Sequence, residues 1–454
     1  MVKKITKFFN TSRIPLVLIL AVAAFFRLYR IDEYLTFLGD EGRDVLVVFH
    51  ILHGNLTLLG PTASVGGFFL GPIYYYMMAP FLFLFNYNPV GPAVMVALIG
   101  VLTVGLLYKV TQDFFGKIPA FFVSFLYAIS PLVVTYSRSS WNPNPVPFFA
   151  LLLVYLLYQS AIKKSKKLII FAGIIFGILL QLHYLSTFLG VVVFFFFLLL
   201  SFLKEKEAIS KIRAFITRCL YFFLGMLIGW SPFLAFEVRH GFQNIQSILK
   251  FIFSSGDTGN NSRYFAIVED VFLRIFGRLL LAFPRYEDLH LFSTQTLFVW
   301  SIFSIGIGLI SLLCLGVQLY KKKKDEKTFP GLLLFFLWIV ICIILFGFYK
   351  KPIYDYYLGI LYPVPFILLA ALVSFIQKRL RYSNILLIFV FLILVFINFQ
   401  NRPFKNPGNH QLDQVRQISE FVLSKTGGEP FNFAVISAGG NSDYAYRYFF
   451  ESKN

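Results

Sequence analysis

Runs of about 20 apolar residues, separated by short polar clusters, recur along the whole chain, and that is the length needed to cross the hydrocarbon core of a bilayer. The pattern predicts spanning helices over 14–30, 91–110, 118–137, 146–162, 168–183, 185–203, 214–236, 292–320, 329–349, 357–376 and 383–399. A further apolar run, 69–85, is broken by Gly71-Pro72 and by Pro80, and proline removes a backbone donor and kinks a helix. Placing the N-terminus and the lysines of 163–167 on one side of the membrane requires an even number of crossings between them. The run 69–85 would make that number odd, so it is predicted to lie in the outer leaflet as an interfacial or re-entrant helix packed on protein, where its broken backbone is shielded from lipid. The expected fold class is an all-α polytopic membrane protein of about 11 transmembrane helices with outer-face juxtamembrane helices.

Composition agrees with that pattern. The 454 residues are 58% hydrophobic, with a mean hydropathy of +0.73, whereas soluble domains run at about 45–50% apolar. The net charge of +19 points to no nucleic-acid partner, because the cations cluster between apolar runs: Lys163 to Lys167, Lys204 to Arg213, Lys321 to Lys324, and Lys378 to Arg381. Cytoplasmic loops are enriched in Lys and Arg by the insertion process itself. The N-terminal cluster Lys3, Lys4, Lys7 and Arg13 is followed by no small-residue cleavage site, so the first apolar run reads as a retained anchor. This topology puts the N-terminus inside, the C-terminus outside, and the protein in the cytoplasmic membrane. Of the 22 acidic residues, all but Asp113, Glu205, Glu207, Asp325 and Glu326 then face outward. Cys219, Cys314 and Cys342 lie far apart in apolar segments, with no disulfide or metal-ligand spacing.

Residues 1–400 form the predicted membrane module, with outer segments 31–90, 137–145 and 237–291. Residues 401–454 are polar, with a helix expected over 410–425, a strand around Phe431–Ile436 and a helix near Asp443–Phe450: a small outer α/β tail, short for an independent domain and read as part of a longer one.

Candidate chemistry concentrates in Gly39-Asp40-Glu41-Gly42-Arg43-Asp44. Asp40 and Glu41 are the candidate catalytic pair, because a group that takes the proton of an attacking hydroxyl is most simply a carboxylate. They could equally cap a surface helix expected over 43–53, for which Asp40 has the residue type of an N-cap. Arg138, His183 and Lys351 stand at outer ends of spans, where cations could stabilise charge on a departing phosphate; side chains anchoring a span end would look the same. Arg43, Asp44, Tyr74, Tyr356 and Tyr357 are further candidates for lining a substrate cavity, although tyrosine is enriched at membrane interfaces anyway.

Several stretches, taken together, resemble the GT-C superfamily of polyprenyl-phosphate-sugar-dependent glycosyltransferases, in the branch of dolichyl-phosphate-mannose protein mannosyltransferases and aminoarabinose transferases. They are Arg27-Leu28-Tyr29-Arg30, Gly39-Asp40-Glu41-Gly42, Gly71-Pro72-Ile73-Tyr74-Tyr75, Ser130-Pro131 through Arg138, His183-Tyr184, and Tyr356-Tyr357-Leu358 with Pro363. The resemblance implies an inverting transfer of a sugar from a polyprenyl-phosphate donor to a protein, lipid or glycan acceptor. It assigns Asp40 as base with Glu41 beside it, and Arg138 and His183 to the lipid phosphate. Such members often carry a second acid after the arginine of the second outer loop. Here only Asn142 and Asn144 stand there, so the sequence requires no cofactor; a divalent cation held by Asp40 and Glu41 is the alternative that this departure weakens. The alternatives are a flippase for lipid-linked glycans, and an envelope-polysaccharide polymerase or ligase whose outer loop would be 237–291.

Overall fold

The computed structural model describes residues 14–204, 206–254, 256, 258–259, 262–380, 382–436 and 442–453; the N-terminal basic cluster, Glu205 and Arg381 lie outside this set. Every predicted span is helical. Among the described residues, seven helices are long and apolar enough to cross a membrane, and an eighth arises if Asp355–Leu361 and Pro363–Arg379, bent by 50°, form one broken span. The other expected spans are short or interrupted. The first described helix, Ile14–Leu28, has 15 residues. The run 118–137 divides into Lys117–Ile129 and Pro131–Tyr136 around Ser130, whose ψ of 121° ends the first piece, because the residue before proline is driven out of the helical region. The run 69–85 becomes a separate helix, Ile73–Leu84, that starts after Pro72 and contains Pro80.

Facing glycines bring two of the spans to backbone distance. Gly173 and Gly177 of Lys166–Leu182 meet Gly225 and Gly229 of Ala208–Gly229, and a Cβ built at Gly225 would fall 2.0 Å from the Ile170 carbonyl oxygen. Two backbones can approach this closely only where side chains are absent, the small-residue packing used between membrane helices.

Buried arginines tie helix ends together at one end of the bundle. The Arg27 guanidinium is fully buried and donates through Nη1 to the carbonyls of Ala23 (3.2 Å) and Ala128 (3.0 Å). Arg138 donates to the carbonyl of Phe26 (2.8 Å), in the last turn of the first helix, and to those of Tyr29 (2.6 Å) and Arg30 (3.3 Å) just beyond it. A cation at a helix C-terminus also meets the negative end of the helix dipole.

The surface helix differs from its predicted bounds. It runs Gly39–Leu52, so Asp40 and Glu41 belong to its first turn and Leu38 is the N-cap. Glu41 is the reason: its Oε2 accepts from the Leu38 N–H at 3.3 Å, which supplies the capping contact from inside the helix, and two acids in a first turn suit the helix dipole.

The tail forms the two expected helices, Gln411–Thr426 and Tyr444–Ser452. The expected strand is absent. Residues 431–436 have no sheet partner among the described residues, and Phe431 and Phe433 pack instead on Phe450, with ring centroids at 5.2 and 5.0 Å. The last helix lies on Gly39–Leu52: His50 meets Glu451 at 2.7 Å, Tyr448 donates to the Tyr87 carbonyl, and Phe37 packs against Tyr448 and Phe449. A Cβ at Gly42 would fall 2.4 Å from the Ala445 backbone nitrogen and Cα. Replacing Gly42 with Ala should therefore push the last helix away, at a cost of about 1–3 kcal/mol. Hydrogen exchange over 444–452 should rise in that variant, and unchanged protection would contradict this packing.

Candidate active site

A cavity of about 1360 Å³ opens at the end of the bundle where all four predicted outer segments meet. Its walls come from Tyr34 to Glu41, from Pro131 to Asn144, from Arg278 to Asp288, and from the tail between Asn401 and Tyr446. These are the ends of four separate stretches, so the cavity exists only in the assembled fold.

Of the candidate residues, Asp40, Glu41 and Arg138 line this cavity. The Asp40 carboxylate is half-exposed, at 52%, and accepts from Arg43 Nη1 at 2.9 Å. Glu41 faces the same cavity with little exposure, and burial pushes its carboxyl up to about 7, with the charges of Asp40 and Asp44 adding to the effect. Asp44 is fully buried behind them. Its Oδ1 accepts from Arg43 Nε (3.0 Å) and Nη2 (2.7 Å) and from the Tyr75 hydroxyl (3.2 Å), while Oδ2 has no partner. Burial raises the Asp44 carboxyl to about 6, although Arg43 pulls it downward.

The expected phosphate site of Arg138, His183 and Lys351 does not form as one group. The Arg138 Nη atoms are spent on backbone carbonyls, and among the described residues its buried Nε has no partner. His183 is buried among the rings of Tyr184, Tyr356 and Tyr357, away from the cavity. Lys351 is exposed and also lies off the cavity wall. The physical reason is that a span end can face the bundle interior or its rim, and sequence position does not distinguish them.

The remaining cavity candidates are corrected in the same way. Tyr74 is fully buried and bonded to Ser140 Oγ at 2.7 Å; Tyr357 is bonded to Ser64 Oγ at 2.8 Å; Tyr356 packs on Trp141, with ring centroids 4.3 Å apart. Tyr74 and Tyr356 brace the 137–145 segment beside the cavity, and Tyr357 is tied to the loop of Ser64. Arg43 and Asp44 lie immediately behind its wall.

The cationic wall comes instead from Arg278, Arg285, Arg402 and Lys405. Arg278 is bound to the buried carboxylate of Asp355, which Arg274 also approaches at 3.6 Å. Among the described residues, Arg285 and Lys405 make no ion pair within 4.0 Å. Arg402 and Lys405 escaped attention in the sequence because they read as the polar start of the tail. The signal was their position directly after the last apolar run. No group of three or more His, Cys, Asp or Glu side chains with metal-binding placement occurs among the described residues.

Residues 70–233 match the sequence model of the dolichyl-phosphate-mannose-protein mannosyltransferases. No curated protein sequence matches the chain. The oligosaccharyltransferase of Archaeoglobus fulgidus in its apo form superposes with a TM-score of 0.54 at 13% identity, over 96% of this chain and 63% of its own; that enzyme has also been solved with Zn and sulfate. This chain therefore spans less than two thirds of the archaeal enzyme's length. ArnT from Cupriavidus metallidurans, bound to undecaprenyl phosphate, superposes with a TM-score of 0.53 at 15% identity, over 96% of this chain and 70% of its own.

The two buried carboxyls have a consequence for stability. Both pKa values are raised above those of an unfolded chain, so the folded state holds protons that the unfolded state releases. Stability from this source is complete below about pH 4 and is lost as pH rises towards 7. The unfolding temperature of the detergent-solubilised protein should fall over that window, and less steeply in Glu41→Gln. Identical slopes would mean that the Glu41 carboxyl is in water.

The chain shares the fold of the Archaeoglobus fulgidus oligosaccharyltransferase and of ArnT and, over residues 70–233, matches the sequence model of the dolichyl-phosphate-mannose-protein mannosyltransferases.

Proposed function

We infer that the protein transfers a sugar from a polyprenyl-phosphate carrier to an acceptor hydroxyl at the outer face of the cytoplasmic membrane, with its N-terminus inside and its C-terminus outside. One observation carries the reading: a half-exposed carboxylate, Asp40, shares a large cavity with Arg285, Arg402 and Lys405 at one end of a lipid-embedded bundle. The lipid-linked donor class is supported by the family model over 70–233 and by the undecaprenyl phosphate bound to ArnT.

In this mechanism the acceptor oxygen attacks the anomeric carbon while Asp40 takes its proton. The bond from that carbon to the phosphate oxygen breaks, and its electron pair leaves with the lipid phosphate. A single displacement inverts the anomeric centre. Arg285, Arg402 and Lys405 face the charge that builds on the leaving group, where fixed cations lower the barrier. Arg138 and Arg278 hold the walls in place. Glu41, buried beside the base, shapes the local field and has no assigned proton transfer.

A second reading has its own observation. Loop 237–291 contributes Arg278, Arg285 and Asp288 to the cavity, a placement that also suits the diphosphate of an oligosaccharide donor in a polymerase or ligase. Labelled mono- and diphosphate-linked donors, given to protein reconstituted in vesicles, separate the two readings by which carrier is released. A flippase would release neither. Asp40→Asn should lower release by at least about 10²-fold, the scale of general-base catalysis, with donor binding retained. Full turnover in that variant would overturn the assignment of the base.

A further inference from the structure

Asp40 does not stand alone in the first turn of its helix. Arg43 lies three positions on and Asp44 four, so all three side chains share one face. Arg43 spreads its guanidinium between them: Nη1 to Asp40 Oδ1 at 2.9 Å, with Nε and Nη2 both to Asp44 Oδ1 at 3.0 and 2.7 Å. The three groups differ sharply in exposure, at 52% for the Asp40 side chain, 20% for Arg43 and 0% for Asp44.

An exposed ion pair on a helix surface contributes little, because ordering two long side chains offsets its attraction. The Arg43–Asp44 half is different. Asp44 is out of water, and a buried carboxylate is tolerable only when donors meet it. Arg43 and the Tyr75 hydroxyl supply them on Oδ1. That requirement fixes the guanidinium plane from behind, and the remaining Nη1 arm projects to one point, where it holds Asp40 Oδ1. The second Asp40 oxygen is left for the cavity. Lysine, a point charge on a flexible stem, could satisfy Asp44 or Asp40 but could not hold a plane between them.

We propose that Arg43 is the positioning residue for Asp40: anchored on the buried carboxylate of Asp44, it orients the base for proton removal from the acceptor. The proposal rests on the reading of Asp40 as base. Arg43 lies outside the cavity wall, so its effect passes through Asp40 and falls on turnover more than on donor binding.

The test compares Arg43→Lys in two backgrounds, with polyprenyl-phosphate mannose as donor and release of polyprenyl phosphate as readout. In the otherwise unchanged protein, R43K should lower kcat by at least about tenfold, since small misplacements of a reacting group cost that much, with donor KM within about twofold of its starting value. In Asp40→Glu, whose longer side chain has already left the Nη1 arm, R43K should change kcat by less than about twofold, because the two changes act as one unit. Thermal unfolding of R43K within a few degrees of the parent excludes a folding defect. Full kcat in R43K, or equal losses in both backgrounds, overturns the proposal while leaving the base in place. Full activity in Asp40→Asn, or no release in the unchanged protein, removes the reading beneath it instead.

Discussion

The carboxylate of Asp44 sits where water does not reach, and the cavity end of the molecule is arranged around meeting its charge. Arg43 and Tyr75 close on one of its oxygens, and that contact draws together the helices Gly39–Leu52 and Ile73–Leu84. Asp40 inherits a fixed position from the same guanidinium. A frame that excludes water makes each unmet charge costly and each met charge rigid.

The same rule explains the arginines at span ends. Arg27 and Arg138 are buried without a carboxylate contact, yet their guanidiniums lie on the carbonyls that close helices Ile14–Leu28 and Lys117–Ile129. The Ala128 and Phe26 carbonyls lie in last helical turns, where intrahelical donors run out, so each arginine ties a helix end to a neighbouring element. The Arg27-Leu28-Tyr29-Arg30 stretch is therefore architectural in this structure. The cations left to face a ligand come from loop 237–291 and from the junction between the last apolar helix and the tail.

The tail is part of the site's construction. Ser442, Ala445 and Tyr446 wall the cavity beside the helix that carries Asp40. Gly42 permits the close approach, and His50 with Glu451 pins the far end. Facing glycines elsewhere in the bundle use the same device within the spans.

Periodicity and composition were enough to locate the apolar helices, the separate helix at 73–84 and the polar stretch at 39–44, because each depends on neighbours along the chain: an apolar run too long for a soluble core, a proline that breaks a helix, acids placed at a helix start. Even Arg43 between Asp40 and Asp44 is visible as a spacing. Local pattern did not reveal which span-end cation faces the cavity. Arg138, His183 and Lys351 look alike on paper, yet one braces a helix end, one is packed among tyrosines, and one lies off the wall. Arg285, Arg402 and Lys405, from stretches more than a hundred residues apart, share the cavity. The direction of a side chain at a helix end is set by what packs behind it, and that is decided only when the helices meet.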